Sequence, residues 1–526
     1  MLKGLLHKIE TSKVSLKTWI ASFFSIIMLR VMLESFSAKQ GDLFTITSFA
    51  HLFFFFISAI LTLILIMRLF TKESIVSISI LAMCGWFVSL TPPIVDLFVS
   101  KGKGGYIISY LFEPTDNLFH SFITFFGPSL QNGMTYGIRT QTILAMLLVG
   151  LYVYIKTRGI LRTICAVILV YITIFFFAIL PTLLTMLEKW SFTVTKADVV
   201  DFAFLPQKIF GISLINPAKI FDFKITLVLT LIVALELALW FFLYNKEKWI
   251  ALIKNFRYSR FLLSITALGT GMYIGLKITQ SAFVPSFMHW IVTINALLIL
   301  FAAWIYSICT NDITDQKIDK ISNQKRPLIT RILSTNEVAN VGLVVMLLAN
   351  GVAFTLGLRF LTVSLTLTAL TYLYSAPPIR LRRFPFISSL IIALSVLLAL
   401  FLGFMLISKD QSLVDFPSSI MITAIVLFTL VANVKDIKDY KGDKEAGIMT
   451  IPTILGQKRG KLVLGILNFI SFILFAALLS SNRFLLLIAF CFGVLAFLLT
   501  YDKKTREAPL FVLYSVFFAI MVVFLY

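Results

Sequence analysis

Charged residues are scarce in this chain, and acidic residues are scarcer than basic ones. Only 13% of the 526 residues are Asp, Glu, Lys or Arg, whereas 59% are hydrophobic. Soluble domains carry about 25% charged residues, so this composition excludes a water-soluble protein. Apolar runs of about 20 residues, long enough to cross a bilayer, recur along the chain. The sequence therefore predicts a polytopic protein embedded in the lipid bilayer.

Cysteine and strand-like patterns are also lacking. The four cysteines lie within or at the ends of apolar segments, at no metal-ligand spacing (Cys84, Cys165, Cys309 and Cys491). Neither a disulfide nor a zinc site is therefore predicted. Alternation of apolar and polar residues is absent, and lipid forces backbone groups to form hydrogen bonds within their own segment. The predicted fold class is all-α.

The net charge of +21 does not indicate a nucleic-acid partner. The basic residues form short runs between apolar segments, such as those from Lys3 to Lys17 and across 245–260. Such runs mark the cytoplasmic side of a membrane protein and attract anionic lipid headgroups. We expect an integral protein of the cell or inner membrane with a cytoplasmic N-terminus. The first apolar segment has no small-residue cleavage site, so we interpret it as a retained span.

The apolar segments predict about fifteen transmembrane helices in two groups. Six precede residue 245, at about 18–37, 46–68, 75–99, 141–156, 163–187 and 225–244. Nine follow, at about 261–280, 288–310, 337–357, 360–376, 386–407, 418–434, 462–480, 484–501 and 508–526. We predict an N-terminal membrane domain over 1–255 and a nine-helix domain over 256–526. Alternation then places the loops 311–336 and 435–461 on the cytoplasmic side.

Few charges lie inside the predicted spans of the first half. Arg30 and Glu34 are four residues apart, a spacing that predicts an ion pair on one helix. Glu236 lies in the middle of a span with no evident partner, and an intramembrane carboxylate is a functional hypothesis. It marks a transport or substrate path, or it is structural. Three functions are open for the first half: binding a partner, presenting a substrate, or carrying out a second activity. Its residues do not choose among them.

Two acidic clusters stand at the cytoplasmic ends of apolar segments in the second half. Asn311, Asp315 and Asp319 follow at intervals of four residues, so a continuing helix would present them as one stripe. Asp439 and Asp443 repeat this interval in the second cluster. A solvated cap is the ordinary explanation for one acidic loop, but two clusters of matching spacing on the same side favour a functional site.

Carboxylates without histidine or cysteine suit a hard cation such as Mg2+. Mg2+ is usually held by one or two carboxylates together with phosphate oxygens of a substrate. Two facing clusters would therefore clamp a diphosphate between metal ions. Basic residues follow the first cluster and lie again at 380–383. Arginine suits phosphate through paired hydrogen bonds.

Three motifs in this half resemble those of the UbiA superfamily of intramembrane prenyltransferases. Asn-Asp-x-x-Asp-x-x-x-Asp at 311–319, followed by Lys-Arg-Pro-Leu at 325–328, resembles its first aspartate-rich motif. Lys-Asp-Ile-Lys-Asp-Tyr-Lys-Gly-Asp at 435–443 resembles the second. Tyr-Ser-Ala-Pro-Pro-Ile-Arg-Leu-Arg-Arg at 374–383 is similar to the segment between them. The resemblance covers about 261–526, although Ile-Thr-Arg at 329–331 replaces the family's common Ser-Gly pair.

The resemblance implies a helical bundle with a cavity that opens to the cytoplasmic side and to lipid. It implies Mg2+-dependent transfer of a prenyl group from a prenyl diphosphate to a lipophilic or aromatic acceptor, such as a quinone precursor or a lipid. The catalytic residues would be Asp315, Asp319, Asp439 and Asp443, and the diphosphate would contact Lys325, Arg326 and Arg382. The metal-binding set would be Asn311, Asp312, Asp315, Asp319, Asp436, Asp439 and Asp443, with Asp312, Asp319 and Asp436 in supporting positions.

The rival hypothesis is a membrane transporter or lipid-handling protein whose carboxylates bind a coupling cation. Transporters commonly show internal repeats and charges near the middle of the membrane. No convincing repeat is present, and the acidic residues of the second half cluster at one face. This hypothesis therefore applies mainly to the N-terminal half.

Overall fold

The fold is almost entirely helical, as the composition predicts. A computed structural model describes residues 2–38, 46–99, 110–127, 134–214, 216–280, 285–384, 386–445, 447–480, 482–502 and 507–525. One short hairpin departs from the all-α prediction, with strands β1 (Gln207–Ile209) and β2 (Ile212–Leu214). Its turn residue Gly211 donates a backbone hydrogen bond to the Leu406 carbonyl at 2.9 Å.

The chain divides into two compact units. Unit 1 comprises Met1–Gln207, Leu214–Lys246 and Ser286–Ile291, and unit 2 comprises Lys208–Ser213, Glu247–Pro285 and Val292–Tyr526. The domain division predicted from the sequence, between residues 255 and 256, lies close to this boundary and stays a prediction. Residues 247–255 belong to unit 2 because Lys248 forms an ion pair with Glu337 and the Asn255 side chain binds Asp312.

Unit 1 contains six membrane-length helical segments among its described residues. Its helices are α1 (Leu2–Glu10), α2 (Leu16–Ala38), α3 (Ile46–Thr71), α4 (Ile75–Gly85), α5 (Thr91–Val99), α6 (Leu118–Ile123), α7 (Tyr136–Thr157), α8 (Ile160–Ala178), α9 (Leu180–Lys189), α10 (Lys196–Phe204) and α11 (Pro217–Tyr244). A 3-10 turn joins α4 to α5, so that together they form one span-length segment. Arg30 and Glu34 form the predicted ion pair, with 2.7 Å between their side chains.

Unit 2 contains the helices that carry the acidic clusters. They are α12 (Lys246–Lys254), α13 (Tyr258–Thr279), α14 (Phe287–Thr314), α15 (Gln316–Ser322), α16 (Thr335–Leu356), α17 (Leu358–Ser375), α18 (Ile387–Ile407), α19 (Ser418–Val431), α20 (Asp436–Glu445), α21 (Ile451–Leu455), α22 (Gln457–Leu479), α23 (Arg483–Tyr501) and α24 (Glu507–Leu525). Of the fourteen helical segments that are long and apolar enough to cross a membrane, eight belong largely to this unit. Helix α17, the predicted span 360–376, is formed but is not among the fourteen, because four threonines and Arg359 lower its hydropathy.

Helices α13 and α18 approach so closely that only glycine fits at their contact. A Cβ atom at Gly271 would overlap the carbonyl oxygen of Leu400, and one at Gly403 would overlap that of Leu268. Small residues let helix backbones approach within a membrane and strengthen their van der Waals contact. This contact fixes α18, and α18 begins directly after the basic segment 380–383.

Candidate functional site

The first acidic cluster lies where α14 passes into α15. Asp315 interrupts the two helices with φ −95° and ψ 11°. The backbone hydrogen bonds nevertheless continue, because the Asp315 N–H donates to Asn311 O and the Asp319 N–H donates to Asp315 O, each at 2.9 Å. The three residues therefore follow one another turn by turn, and the predicted stripe is retained across a one-residue break.

Arg326 ties two aspartates of this cluster together. Its Nη1 donates to Asp312 Oδ1 at 2.9 Å and also to Asp319. Asp312 Oδ1 accepts a second hydrogen bond from Arg257 Nη2 at 2.8 Å, and its Oδ2 accepts from Asn255 Nδ2 at 2.6 Å. Both Asp312 oxygens are thus occupied by protein donors, an arrangement that fits a positioning role for this carboxylate.

Arg382 joins the two clusters. Its guanidinium forms an ion pair with Asp315 and lies 3.5 Å from Asp439 Oδ2 and 3.4 Å from Asp443 Oδ1. Asp315 and Asp443 are buried, and only 16% of the Asp439 side chain is exposed. Three carboxylates from two distant segments therefore meet one guanidinium, as the facing-cluster hypothesis requires.

Two carboxylate oxygens of this group keep unused acceptor capacity. Asp315 Oδ1 accepts from Arg380 Nη2 at 2.6 Å, whereas Asp315 Oδ2 meets Arg382 as an ion pair without hydrogen-bond geometry. Asp443 Oδ2 is buried with no hydrogen-bond partner among the described residues. A buried carboxylate oxygen without a donor is costly, so the position of Asp443 Oδ2 fits a cation.

Asn323 provides a second connection between the clusters. Its Nδ2 donates to Asp319 Oδ1 at 3.1 Å and to Asp439 Oδ1 at 3.2 Å. The neighbouring Ser322 Oγ accepts from the Gly442 N–H at 3.2 Å. The motif comparison did not single out these residues, although Asn323 follows Asp319 by one further helical turn.

Asp319 is electrostatically unlike an exposed aspartate. Burial raises its pKa to about 6, and the neighbouring carboxylates Asp312 and Asp439 add to this effect. The Arg326 charge and the Asn323 amide act in the opposite direction and favour the ionised form. Asp319 thus depends on these two partners to hold its charge near neutral pH.

Lys435 and Tyr374 form a buried pair beside the second cluster. The Lys435 ammonium donates to the Tyr374 hydroxyl and lies 4.8 Å from the centre of its ring. Nearby, Ser389 Oγ donates to Asn433 Oδ1 at 2.6 Å. These contacts link the end of α17 and the start of α18 to the turn that precedes α20, so they hold the second cluster in position.

Some predicted site residues are not part of this network. Lys325 is exposed, Asn311 is half-buried and Asp436 is buried. Within the described residues, neither Lys325 nor Asn311 contacts an aspartate of the second cluster. The described residues also hold no ready-made group of three acidic, histidine or cysteine side chains arranged for a metal ion. The closest approach of the two clusters instead runs through arginine and asparagine.

Helices of membrane-spanning length and two aspartate clusters joined by arginine define an integral membrane protein with a cluster of buried charges in unit 2. Residues 262–521 match the model of the UbiA prenyltransferase family, so this part of the chain is similar to that family. The resemblance inferred from the three motifs is thereby confirmed. The match leaves residues 1–261 uncovered.

Individual relatives show similarity over about a third of this chain. The digeranylgeranylglyceryl phosphate synthase of Pyrococcus horikoshii is 26% identical over 181 residues, which are 34% of this chain and 63% of the relative. The homogentisate phytyltransferase of a Synechocystis species is 31% identical over 186 residues, 32% of this chain and 59% of the relative. The alignments thus span less than two thirds of these relatives.

Solved structures of UbiA homologues also align with this chain. A UbiA homologue from Archaeoglobus fulgidus, solved with DMAPP and Mg2+, aligns with 52% of this chain and 98% of its own. Its sequence identity is 21% and its TM-score is 0.40.

Proposed function

We propose that the chain is an integral membrane prenyltransferase that moves a prenyl group from a prenyl diphosphate to a lipophilic or aromatic acceptor. The observation that carries this proposal is the position of Arg382, which meets Asp315 of the first motif together with Asp439 and Asp443 of the second. The names of the two relatives support it, since one is a digeranylgeranylglyceryl phosphate synthase and the other a homogentisate phytyltransferase.

The donor set fits Mg2+ as the cofactor. The possible metal ligands among the side chains that meet at Arg382 are the carboxylate oxygens of Asp315, Asp439 and Asp443. Of these, Asp443 Oδ2 lacks a hydrogen-bond donor among the described residues. We assign metal binding to Asp315, Asp439 and Asp443, with substrate phosphate oxygens as further ligands. When bound, Mg2+ would neutralise negative charge on the leaving diphosphate.

The basic side chains would bind the diphosphate. Arg380 and Arg382 now pair with Asp315, and both present guanidinium groups that can move to phosphate oxygens by exchange of hydrogen-bond partners. We assign Arg326 a shared role, because it holds Asp312 and Asp319 and lies beside the site. We keep Lys325, which is exposed in the same loop, as a further candidate for diphosphate binding.

The reaction balances without an added oxidant or reductant. The bond between the allylic carbon and the diphosphate oxygen breaks, and its electron pair leaves with the diphosphate. The acceptor then forms a bond to the allylic carbon and releases a proton. Arginine charges directed at the leaving group lower the barrier because they stabilise the charge that develops there. We place this site on the cytoplasmic face because the adjacent loops carry most of the basic residues of this half.

The test is a transfer assay of the purified full-length protein with labelled prenyl diphosphates and a panel of lipid and aromatic acceptors, with and without Mg2+. Asp315→Ala and Asp439→Ala should each abolish transfer without loss of folded protein. Asp415→Ala, which removes an exposed carboxylate between α18 and α19, serves as the matched control and should remain active. Near-normal transfer by either site variant would disprove the two-cluster clamp.

A further inference from the structure

Unit 1 encloses a cavity of about 270 Å³ that plays no part in the proposed prenyl transfer. Its described lining comes from unit 1 alone, chiefly from helices α2, α3, α7 and α8 and the start of α11. The volume lies near the lower end of the usual range for small-molecule sites, about 300–1,000 Å³. The cavity can therefore hold one ring with a short substituent.

The charges that line this cavity are nearly balanced. Arg30 forms an ion pair with Glu34 at 2.7 Å, and both side chains are buried. Asp222 adds one further carboxylate to the lining. A diphosphate would need several cations, whereas the single arginine here is already paired. The electrostatics therefore disfavour an anionic ligand.

Four lining side chains form a continuous chain of hydrogen bonds. Ser48 Oγ donates to Asp222 Oδ2 at 2.6 Å, and His51 Nδ1 lies 2.6 Å from Asp222 Oδ1. His51 Nε2 lies 2.7 Å from the Tyr110 hydroxyl. With an ionised Asp222 and a neutral imidazole, Nδ1–H donates to Asp222 and Nε2 accepts from the Tyr110 hydroxyl. Burial, with Asp222 nearby, raises the pKa of Tyr110 well above its ordinary value, which keeps the phenol protonated.

This chain leaves Tyr110 able to accept a further hydrogen bond. A phenol that donates its proton still carries oxygen lone pairs. Tyr110 is 2% exposed and is one of the residues that line the cavity. A ligand hydroxyl in the cavity could therefore donate to Tyr110.

The indole N–H of Trp86 is a hydrogen-bond donor that lacks an acceptor among the described residues. Its side chain lines the cavity and is 5% exposed. The indole Nε1–H is buried without an acceptor among the described residues. Two other tryptophans of unit 1 have acceptors: Trp19 Nε1 donates to Ser79 O at 2.8 Å and Trp240 Nε1 donates to Ser79 Oγ at 3.0 Å. A buried donor without an acceptor costs about 1–3 kcal/mol, and a ligand oxygen would remove that cost.

Part of the remaining wall is aromatic, among aliphatic and polar side chains. Phe55, Phe56 and Phe177 line the cavity together with Trp86 and Tyr110. Phe55 packs edge-to-face against both Tyr110 and Phe177, at centroid distances of 5.9 and 5.8 Å. Such walls favour a flat ring in offset or edge-to-face contact.

We propose that this cavity binds a small uncharged aromatic molecule that carries hydroxyl or carbonyl oxygens, of the phenol or quinone class. An oxygen of the ligand accepts from Trp86 Nε1–H, a ligand hydroxyl can donate to Tyr110, and the ring packs against Phe55, Phe56 and Phe177. The site is separate from the aspartate clusters, so this inference does not depend on the proposed prenyl transfer.

The test uses the purified full-length protein in detergent, without prenyl diphosphate. Binding of tritiated 4-tert-butylphenol is measured by scintillation proximity, in competition with tert-butylbenzene and with 4-tert-butylbenzoate. We expect saturable binding, with the hydrocarbon and the charged benzoate each competing at least about fivefold more weakly, the factor that one net hydrogen bond of about 1 kcal/mol supplies.

Trp86→Phe keeps an aromatic ring but removes the indole N–H, so it should weaken phenol binding about fivefold and leave tert-butylbenzene binding unchanged. Trp240→Phe is the matched control: it removes an indole N–H away from the cavity and should bind as the unmodified protein does. Ala145→Leu places extra side-chain volume in the lining and should abolish saturable binding. It also measures the background from partition into micelles.

Two results would overturn the proposal. One is the absence of saturable phenol binding above the Ala145→Leu background. The other is equal competition by tert-butylbenzene together with unchanged binding by Trp86→Phe, which would indicate a cavity filled by a lipid chain only. Thermal unfolding of each variant verifies folding, and failure of the transfer assay would leave these binding results unaffected.

Discussion

The Asn323 amide nitrogen stands between two carboxylates, 3.1 Å from Asp319 Oδ1 and 3.2 Å from Asp439 Oδ1. An amide can separate two negative charges because it donates a proton to each. Asp319 in particular relies on this donor, since burial raises its pKa to about 6 while Asn323 favours its charged form. The amide therefore lets the two acidic clusters approach without direct repulsion.

Asn323→Asp should impair transfer more than Asn323→Leu. Leucine has a similar size and only removes the two hydrogen bonds, whereas aspartate adds a third charge where both neighbours need a donor. We expect a loss of about tenfold or more in initial rate for the aspartate variant, since a hydrogen bond to a charged group contributes about 1.5–3 kcal/mol. Initial rates at saturating prenyl diphosphate, across a range of Mg2+ concentrations, measure the effect.

Asn482→Asp is the control for added charge. Asn482 is exposed, and its Oδ1 caps α23 by accepting from the Phe484 N–H at 2.9 Å. Aspartate caps a helix equally well, so this variant should retain its rate. If Asn323→Asp transferred as fast as Asn323→Leu, the amide would not be separating the two charges.

Among the helices, the contact between α15 and α20 sets the distance between the two aspartate clusters. A Cβ atom at Gly442 would lie 2.6 Å from Ser322 Oγ and 2.8 Å from Ile318 Cγ2. Gly442 lies between Asp439 and Asp443, so any displacement of this helix moves both carboxylates. The glycine in this acidic motif is needed for helix packing.

Gly442→Ala should therefore lower both stability and transfer. Forced overpacking costs about 1–3 kcal/mol, and the backbone shift that relieves it separates Asp439 from Asn323. Gly269→Ala is the matched control, because a Cβ at Gly269 would meet no atom within 4 Å, and alanine in a helix is favoured over glycine by about 0.5–1 kcal/mol. Thermal unfolding and initial rates of both variants provide the measurements. A Gly442→Ala protein as active as Gly269→Ala would show that this packing is not required.

The helices were predictable from sequence because apolar length alone determines a span. Every predicted span has a helix in the structure, including α17, which begins at Leu358 and ends at Ser375. The two aspartate clusters were also expected to face each other, whereas Arg382 was expected to contact the diphosphate and not the aspartates themselves. The roles of Arg257 and Asn255 could not be predicted, because they lie before α13 and reach Asp312 only through the tertiary fold. The lack of an acceptor for the Trp86 N–H among the described residues could not be predicted either, because only the packed structure shows whether an indole has an acceptor.

Helix α17 decides the topology at the scale of the whole molecule. At one end of unit 2, Arg359 at the start of α17 donates to the Asp410 carbonyl, and Gln411 Nε2 donates to Leu356 O at 3.1 Å. At the other end, Arg380 after α17 binds Asp315. Each of the four helices α16 to α19 thus runs from one of these two ends of unit 2 to the other. The described residues contain fourteen other helical segments that are candidate membrane spans. Together with α17 they make fifteen, which is the number of transmembrane helices predicted from the sequence.

Single cysteines introduced at these two ends should react from opposite sides of the membrane. We expect Lys325→Cys and Lys444→Cys, at the end that carries the aspartate clusters, to be labelled by a membrane-impermeant maleimide only from the cytoplasmic side. Lys409→Cys, at the Asp410 end, should be labelled only from the other side. All three lysines are exposed, and the four native cysteines are first replaced by alanine or serine. Sealed vesicles of both orientations provide the measurement, with transfer activity to verify the cysteine-free protein. Labelling of Lys325→Cys and Lys409→Cys from the same side would mean that α17 does not cross the membrane, and labelling of the aspartate end from outside would reverse the proposed orientation.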